Sequence, residues 1–428
     1  MTSPDLGRYK RFVRYFWDPE PENDDISGTP IWCLGREYVS SASTCNDDSF
    51  ETKDDQLQSA PAEGNVTSNI GGDATHCFNE SRRESVGGWP PSFLDDFESK
   101  IWLTYRSNFP LIPKSRNSKA TSNMTLSVRL RSHLLDPSGF TSDTGWGCMI
   151  RSGQSLLINT LVILRLGRDW RRGSGPIEER RILSLFADDP DAPFSIHRFV
   201  EHGATACGKH PGEWFGPSAT AHCIDALVNE LSGIGLKVYV TGDGDDIYED
   251  RLMKVATTED GTFTPTLLLV GIRLGIDRVT PLYWESLKSS LTLSQSVGIA
   301  GGRPSSSHYF VGVQGSSFFY LDPHQTRPAL PLHLNPEDYT EAEVDSCHTR
   351  RLRKLRIGEM DPSMLIGFLI RDEADWISWR ERISKTPGKA IVNIASQQKP
   401  VHGQELGRDD AIDEVEPLDD EYDDDIGP

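Results

Sequence analysis

The amino-acid sequence predicts an α+β fold, and three observations carry that reading. Helical periodicity dominates the middle of the chain, while strand patterns cluster after it. Two of the strands are joined by a tight Gln314-Gly315-Ser316 turn. Helices and strands do not alternate as a regular βαβ repeat would require, and no internal repeat is present. At 428 residues, with 36% hydrophobic and 25% charged residues, the chain holds enough apolar material for a large core beside some unfolded sequence.

Taken in order, residues 1–40 form an N-terminal segment expected to be partly ordered. It carries the aromatic cluster Tyr9, Phe12, Tyr15, Phe16 and Trp17, followed by Ile31-Trp32-Cys33-Leu34-Gly35. Residues 41–88 are rich in Ser, Asp, Asn, Gly and Thr and read as a disordered insertion. The folded domain is expected over 89–386. It opens at Ser92-x-x-Asp95, a capping-box pattern ahead of Phe93, Phe97 and Ile101. Residues 107–140 are polar and basic with scattered apolar positions, and read as an insertion without assigned structure. The central helix has apolar positions 149, 150, 156, 157, 161 and 164, continues to Leu166 and stops at Gly167. A short helix is expected at Ile196–Glu201. A second follows Gly212-Glu213-Trp214-Phe215-Gly216-Pro217, with Ala219, Cys223, Leu227 and Leu231 on one face. Strands are predicted at 236–240, 266–272, 308–313, 317–321 and 365–370, and a last helix at Asp372–Ser384.

Charge is unevenly spread. Residues 401–428 hold twelve Asp/Glu and one Arg, so this stretch carries −11 of the net −20. Residues 387–428 therefore read as an acidic, disordered tail. No basic stripe is available to neutralise phosphates, which argues against nucleic acid. No apolar run approaches the length that spans a bilayer. Met1–Arg14 lacks an apolar h-region, so no secretory signal is expected. Seven cysteines at irregular spacings do not form a disulfide framework, and a reducing compartment is expected.

Chemistry concentrates at Thr141-Ser142-Asp143-Thr144-Gly145-Trp146-Gly147-Cys148. Cys148 falls in the first turn of the central helix, where unpaired N–H groups and the helix dipole favour a thiolate. Gly145 and Gly147 leave room there for another backbone to come close. A buried, inert thiol is the alternative. A nucleophilic cysteine needs a base and a group that orients it. Asp322-Pro323-His324 ends the hairpin, with the acid and the imidazole two residues apart on one face. A solvated Asp-Pro turn is the competing reading. For the oxyanion, the Cys148 N–H is one donor and the Tyr105 hydroxyl another, although Tyr105 also reads as a core aromatic. Cys207-x-x-His210 and His222-Cys223 match no established zinc spacing, and Asp243-x-Asp245-Asp246 lacks the glycine and distal Glu of a calcium loop. No metal and no cofactor are expected.

These blocks, together with Trp102–Pro110, Trp214-Phe215-Gly216-Pro217 and Gly301–Gly312 leading into Tyr320–His324, resemble the autophagins, a family of autophagy-related cysteine peptidases. The resemblance spans roughly residues 90–385. It implies a papain-like peptidase that cleaves after the C-terminal glycine of a small ubiquitin-like autophagy modifier. It also implies release of that modifier from phosphatidylethanolamine, so membrane contact is transient and made through the substrate. By matching position, Cys148 is the nucleophile, His324 the base, Asp322 its orienter and Tyr105 the oxyanion tyrosine. Trp214 and Arg303-Pro304-Ser305-Ser306 match the pair that covers the groove. The family implies a monomer, cytoplasmic and also placed in the nucleus and at the pre-autophagosomal structure.

Two departures stand out. Position 152 is Ser where some members carry a second, redox-active cysteine, and residues 401–428 contain no aromatic-x-x-aliphatic tetrapeptide for docking the modifier. Two other functions remain open at this point. One is a papain-like hydrolase or acyl transferase with a different acyl donor, the other a non-catalytic modifier-binding module.

Overall fold

The computed structural model describes residues 20–39, 86–117, 120, 123–134, 138–242, 246–303 and 306–397. The aromatic cluster at residues 9–17, nearly all of the 41–88 insertion and the acidic stretch 401–428 lie outside them. Asp243, Asp245, Pro304 and Ser305 do so too.

Fourteen strands occur among the described residues. In chain order they are β1 (Ile31–Cys33), β2 (Arg36–Tyr38), β3 (Arg106–Pro113), β4 (Gly139–Ser142), β5 (Lys237–Val240), β6 (Asp246–Tyr248) and β7 (Thr266–Arg273). Then come β8 (Ser296–Arg303), β9 (Ser306–Gln314), β10 (Ser317–Leu321), β11 (Arg327–Pro328), β12 (Lys354–Arg356), β13 (Ser363–Ile370) and β14 (Asn393–Ala395). The helices that matter here are α1 (Pro91–Glu98), α2 (Leu126–Leu134), α3 (Cys148–Leu166), α4 (Ile196–Ala206), α5 (Pro217–Glu230) and α6 (Glu373–Ser384).

One nine-stranded sheet runs β12-β10-β9-β8-β13-β7-β5, with β1 added on β9 and β2 on β1. Only β5 pairs in parallel, with β7. The sheet is otherwise antiparallel, as the strand clustering predicts. β9 and β10 turn through Gly315, whose φ of 56° is left-handed.

α3 lies on this sheet and is buried all round from Cys148 to Ile163. Leu156, Leu157, Ile158 and Leu161 are fully covered. Each contributes about 1.5–3 kcal/mol by leaving water. A Cβ at Gly367 of β13 would fall 3.1 Å from Leu156 Cδ2, so helix and sheet are in direct contact there.

The structure departs from the sequence expectations in several places. α1 begins with Pro91 after an N-cap at Pro90, and no side chain caps it, so Ser92 lies inside the helix. Proline at the first helical position supplies the start signal instead. Residues 107–140 are not a structureless insertion, since β3 pairs with β4 and β11 in a three-stranded sheet and α2 lies between. The folded chain also runs beyond residue 386. Ile391 and Val392 are buried, and β14 pairs in parallel with β6. Near the N-terminus β1 and β2 join the main sheet, and Val86–Gly88 forms a 3-10 turn inside the stretch expected to be disordered.

Candidate active site

The turn before α3 is built around Asp143. Its backbone carbonyl accepts from Trp146 N at 3.1 Å and Gly147 N at 2.9 Å. Its carboxylate accepts from Arg106 N at 2.6 Å and from Arg151 Nε at 2.7 Å. Gly145 takes a left-handed φ of 92°. A Cβ at Gly147 would meet Asp143 Oδ2 at 2.4 Å. The second glycine thus makes room for a side chain, not for a backbone as the sequence suggests. Arg151 reaches Asp188 at 2.8 Å as well as Asp143, with all three side chains buried. Burial works against the guanidinium charge, and the two carboxylates outweigh it and hold the arginine protonated.

A second set of buried polar groups straps an extended segment along α3. Asn159 Oδ1 accepts from Ile101 N at 3.0 Å, and its Nδ2 donates to Ile101 O at 2.8 Å. One turn earlier, Ser155 Oγ accepts from Leu103 N at 3.1 Å. The far side of the strap holds the Asp322–His324 loop. Trp102 Nε1 donates to Asp322 O at 2.8 Å, and Tyr105 N donates to Pro323 O at 2.8 Å. The Arg327 guanidinium covers the Trp102 ring at 4.9 Å. Residues 101–105 therefore bridge the helix carrying Cys148 and the loop carrying His324. Sequence reasoning missed this device, although polar Ser155 and Asn159 at i, i+4 inside a buried helix are a readable signal.

The result brings Cys148, His324, Asp322 and Tyr105 together. His324 Nδ1 donates to Asp322 Oδ1 at 2.5 Å, and its backbone N–H donates to the same oxygen at 3.1 Å. His324 also hydrogen-bonds the Cys148 sulfur. The Tyr105 hydroxyl bonds that sulfur as well, and its ring meets the imidazole edge-on at 5.3 Å. The Cys148 N–H, at the first helical position, has no intrahelical acceptor. Burial pushes the thiol up, but bonding to His324, the Ser307 N–H and the Tyr105 hydroxyl brings it below its ordinary value. Burial pulls His324 down, while Asp322 and Cys148 raise it to about 10. Asp322 is held well below the carboxylate range by His324 and His308 despite its burial. Both shifts favour the thiolate–imidazolium pair over the neutral one.

This pair sets the pH profile. The thiolate is present to the acid side of the ordinary thiol value, and the imidazolium persists until about pH 10. Peptidase kcat/KM is expected to hold or rise from neutral pH upward and to fall only as His324 deprotonates near pH 10. A profile that already falls between neutrality and pH 8 contradicts the ion pair.

The remaining expected site residues are placed less closely. Ser306 Oγ lies 3.2 Å from His324 Nε2. Arg303 is half exposed and faces Glu359 at 3.7 Å, a contact worth little in water. Pro304 and Ser305 fall outside the described residues. Trp214 is partly buried, with its indole N–H unbonded. Its loop reaches the nucleophile's turn through Gly212, where a Cβ would strike Phe140 at 2.5 Å. Phe140 in turn packs edge-on against Trp146 at 5.6 Å. Ser152 is buried and bonds Ser307 Oγ at 3.2 Å, tying α3 to β9.

The zinc patterns dissolve. His210 is engaged by Ser115 and Asn117, Cys207 lies toward Ala219 O, and His222 points to solvent while Cys223 is buried. Among the described residues, the one cluster of metal-ligand types is His308, Asp322 and His324. Two donors on one tetrahedral zinc stand about 3.3 Å apart, given metal–ligand bonds of about 2.0–2.1 Å. The 2.5 Å His324–Asp322 contact is a hydrogen bond instead.

A thiolate at a helix start, an imidazolium oriented by a carboxylate, and a hydroxyl on the sulfur define a thiol hydrolase on an α+β scaffold. The Peptidase C54 catalytic domain profile matches residues 90–382. The chain is 62% identical over 436 residues to a probable cysteine protease atg4 of Botryotinia fuckeliana, covering 100% of this chain and 99% of that protein. It is 55% identical over 421 residues to a probable cysteine protease atg4 of Aspergillus niger, covering 98% and 100%. It is likewise 55% identical over 421 residues to a cysteine protease atg4 of Emericella nidulans, covering 98% and 99%. The chain belongs to the Peptidase C54 family, the autophagins, and is an autophagy-related cysteine peptidase of papain-like fold.

Proposed function

We propose that this peptidase cleaves after the C-terminal glycine of the ubiquitin-like autophagy modifier, both maturing its precursor and freeing it from phosphatidylethanolamine. The observation that carries this reading is the burial of the sulfur. Cys148 is only 3% exposed, and Ser306 Oγ stands at His324 Nε2 beside it. An acyl donor without a side chain suits a nucleophile so covered.

In this reading the Cys148 thiolate attacks the glycine carbonyl carbon. The resulting oxyanion is stabilised by the Cys148 N–H and the Tyr105 hydroxyl. His324, oriented by Asp322, gives its proton to the departing nitrogen, that of the next residue or of the lipid headgroup. The C–N bond breaks and leaves a thioester. Water, deprotonated by His324, then attacks the thioester, and the modifier leaves with a free glycine carboxylate. Trp214, Arg303 and Ser306 are assigned the role of covering the groove. The work is done in the reducing cytosol and at the membrane faces that carry the conjugate, by a monomer without cofactor.

The test is to incubate the protein with a modifier bearing extra residues after its glycine, and to weigh the product by mass spectrometry. The expected product ends at that glycine. Changing the glycine to alanine should slow the reaction by about 10- to 200-fold, the effect of one methyl group in a tight site. Equal turnover of the alanine form, or of unrelated ubiquitin-like proteins, overturns the substrate assignment.

A further inference from the structure

One buried histidine has no place in the triad chemistry described above. His308, in β9, is 4% exposed. Its Nε2 lies 3.9 Å from Asp322 Oδ1, the oxygen that already accepts two bonds from His324. The His308 ring meets Tyr320 edge-on at 4.5 Å and lies 5.4 Å from the His324 ring. Rings thus stand against the catalytic imidazole from β9 as well as from Tyr105.

The groups facing His308 fix its proton. Asp322, His324, Arg303 and the Ser306 carbonyl all act on it. Burial, with His324 and Arg303 adding to it, outweighs Asp322 and Ser306 and drops the ring to about 3, so it is neutral at working pH. A neutral imidazole carries one N–H. Nδ1 has no hydrogen-bond partner, so the Ser306 carbonyl claims no proton there, and Nε2 faces a carboxylate that would repel a lone pair. The proton therefore belongs on Nε2, aimed at Asp322.

We propose that His308 is a positioning residue: a neutral donor that holds the Asp322 carboxylate in the rotamer that grips His324 Nδ1. The separation of 3.9 Å is longer than a hydrogen bond. At this distance His308 acts as an oriented dipole on a poorly solvated carboxylate. Its effect reaches the sulfur in two steps. A loosened Asp322 leaves His324 less basic, and a less basic His324 leaves the thiolate less favoured. This inference rests on the triad roles given above but not on the identity of the substrate.

The test therefore reads the sulfur directly. The rate of Cys148 alkylation by iodoacetamide is followed against pH by mass spectrometry in the full chain. H308F keeps an aromatic ring and removes the donor, whereas H308Q keeps a donor at the Nε2 position. In H308F the alkylation midpoint is expected to move up by about one pH unit. Peptidase kcat is expected to fall by about 10- to 100-fold with KM nearly unchanged. H308Q should restore most of both. A folded H308F with an unmoved midpoint overturns the proposal, as does an equal loss in H308F and H308Q. Should H308F not fold, nitrogen-15 histidine spectra of the unmodified protein decide the matter. They should show the Nε2–H tautomer, uncharged from about pH 5 to about pH 9. An Nδ1–H tautomer, or titration in that range, overturns the proposal. Failure of modifier cleavage in the unmodified protein, with the alkylation results intact, would sink the substrate reading alone.

Discussion

Replacing Cys148 with serine is expected to lower kcat by about 10⁴- to 10⁶-fold while leaving the fold in place. The two side chains are nearly isosteric, and the site is buried, so the melting temperature should move little. The chemistry changes far more. The sulfur is stabilised as an anion by His324, the Ser307 N–H and Tyr105. A serine hydroxyl is a much weaker acid than a thiol, so the same surroundings leave it protonated and a poor nucleophile. His324→Ala should cost a similar factor, because it removes both the proton donor and the partner that holds the thiolate. Single-turnover cleavage and circular dichroism on the same preparations check the two halves of the claim. Near-native cleavage by a folded Cys148→Ser protein would remove the nucleophile assignment.

The second large effect is on stability. Asp143→Ala leaves the buried Arg151 guanidinium with one carboxylate, Asp188, beside the neutral Gln154 Oε1, and strips an acceptor from Arg106 N. Breaking one member of such a buried network costs about 3–5 kcal/mol. The backbone bonds from Asp143 O to Trp146 and Gly147 survive the substitution. The carboxylate that fills the space beside Gly147 does not, so the approach to Cys148 loosens as well. Urea unfolding should show the lower stability, with peptidase activity reduced even below the denaturation midpoint. A loss under about 1 kcal/mol would mean that the network is far better solvated than its burial indicates.

Legibility in the sequence followed signal strength. The central helix was readable because its apolar period is regular and Gly167 ends it. The hairpin at Gly315 was readable because Gly sits between two short apolar runs. Cys148 and the Asp322–His324 pair could be singled out because a thiol at a helix start and an acid two residues from an imidazole each suit a known chemistry. β8 went unseen because Ser296–Arg303 is rich in glycine and lacks alternation, so its strand character comes from pairing with β9 and β13. β3 escaped for a similar reason. It holds Pro110 and Pro113, lies in a three-stranded sheet, and owes its shape to neighbours distant in the chain. Ser92 misled because a capping pattern is local, and Pro90-Pro91 two residues earlier already sets the helix start. The strap at 101–105 and the placing of His308 depend on partners far away in the chain, which no periodicity encodes.

That strap also governs when the enzyme comes into being. Ribosomes make Cys148 first, and Asp322 and His324 only much later. Trp102 further needs the carbonyl of Cys347, to which its backbone N–H donates at 2.8 Å. A nascent chain still short of that point holds a thiol but no assembled machinery to arm it. Synthesis through Cys347 is thus a condition for the complete strap, and with it for a fully held site.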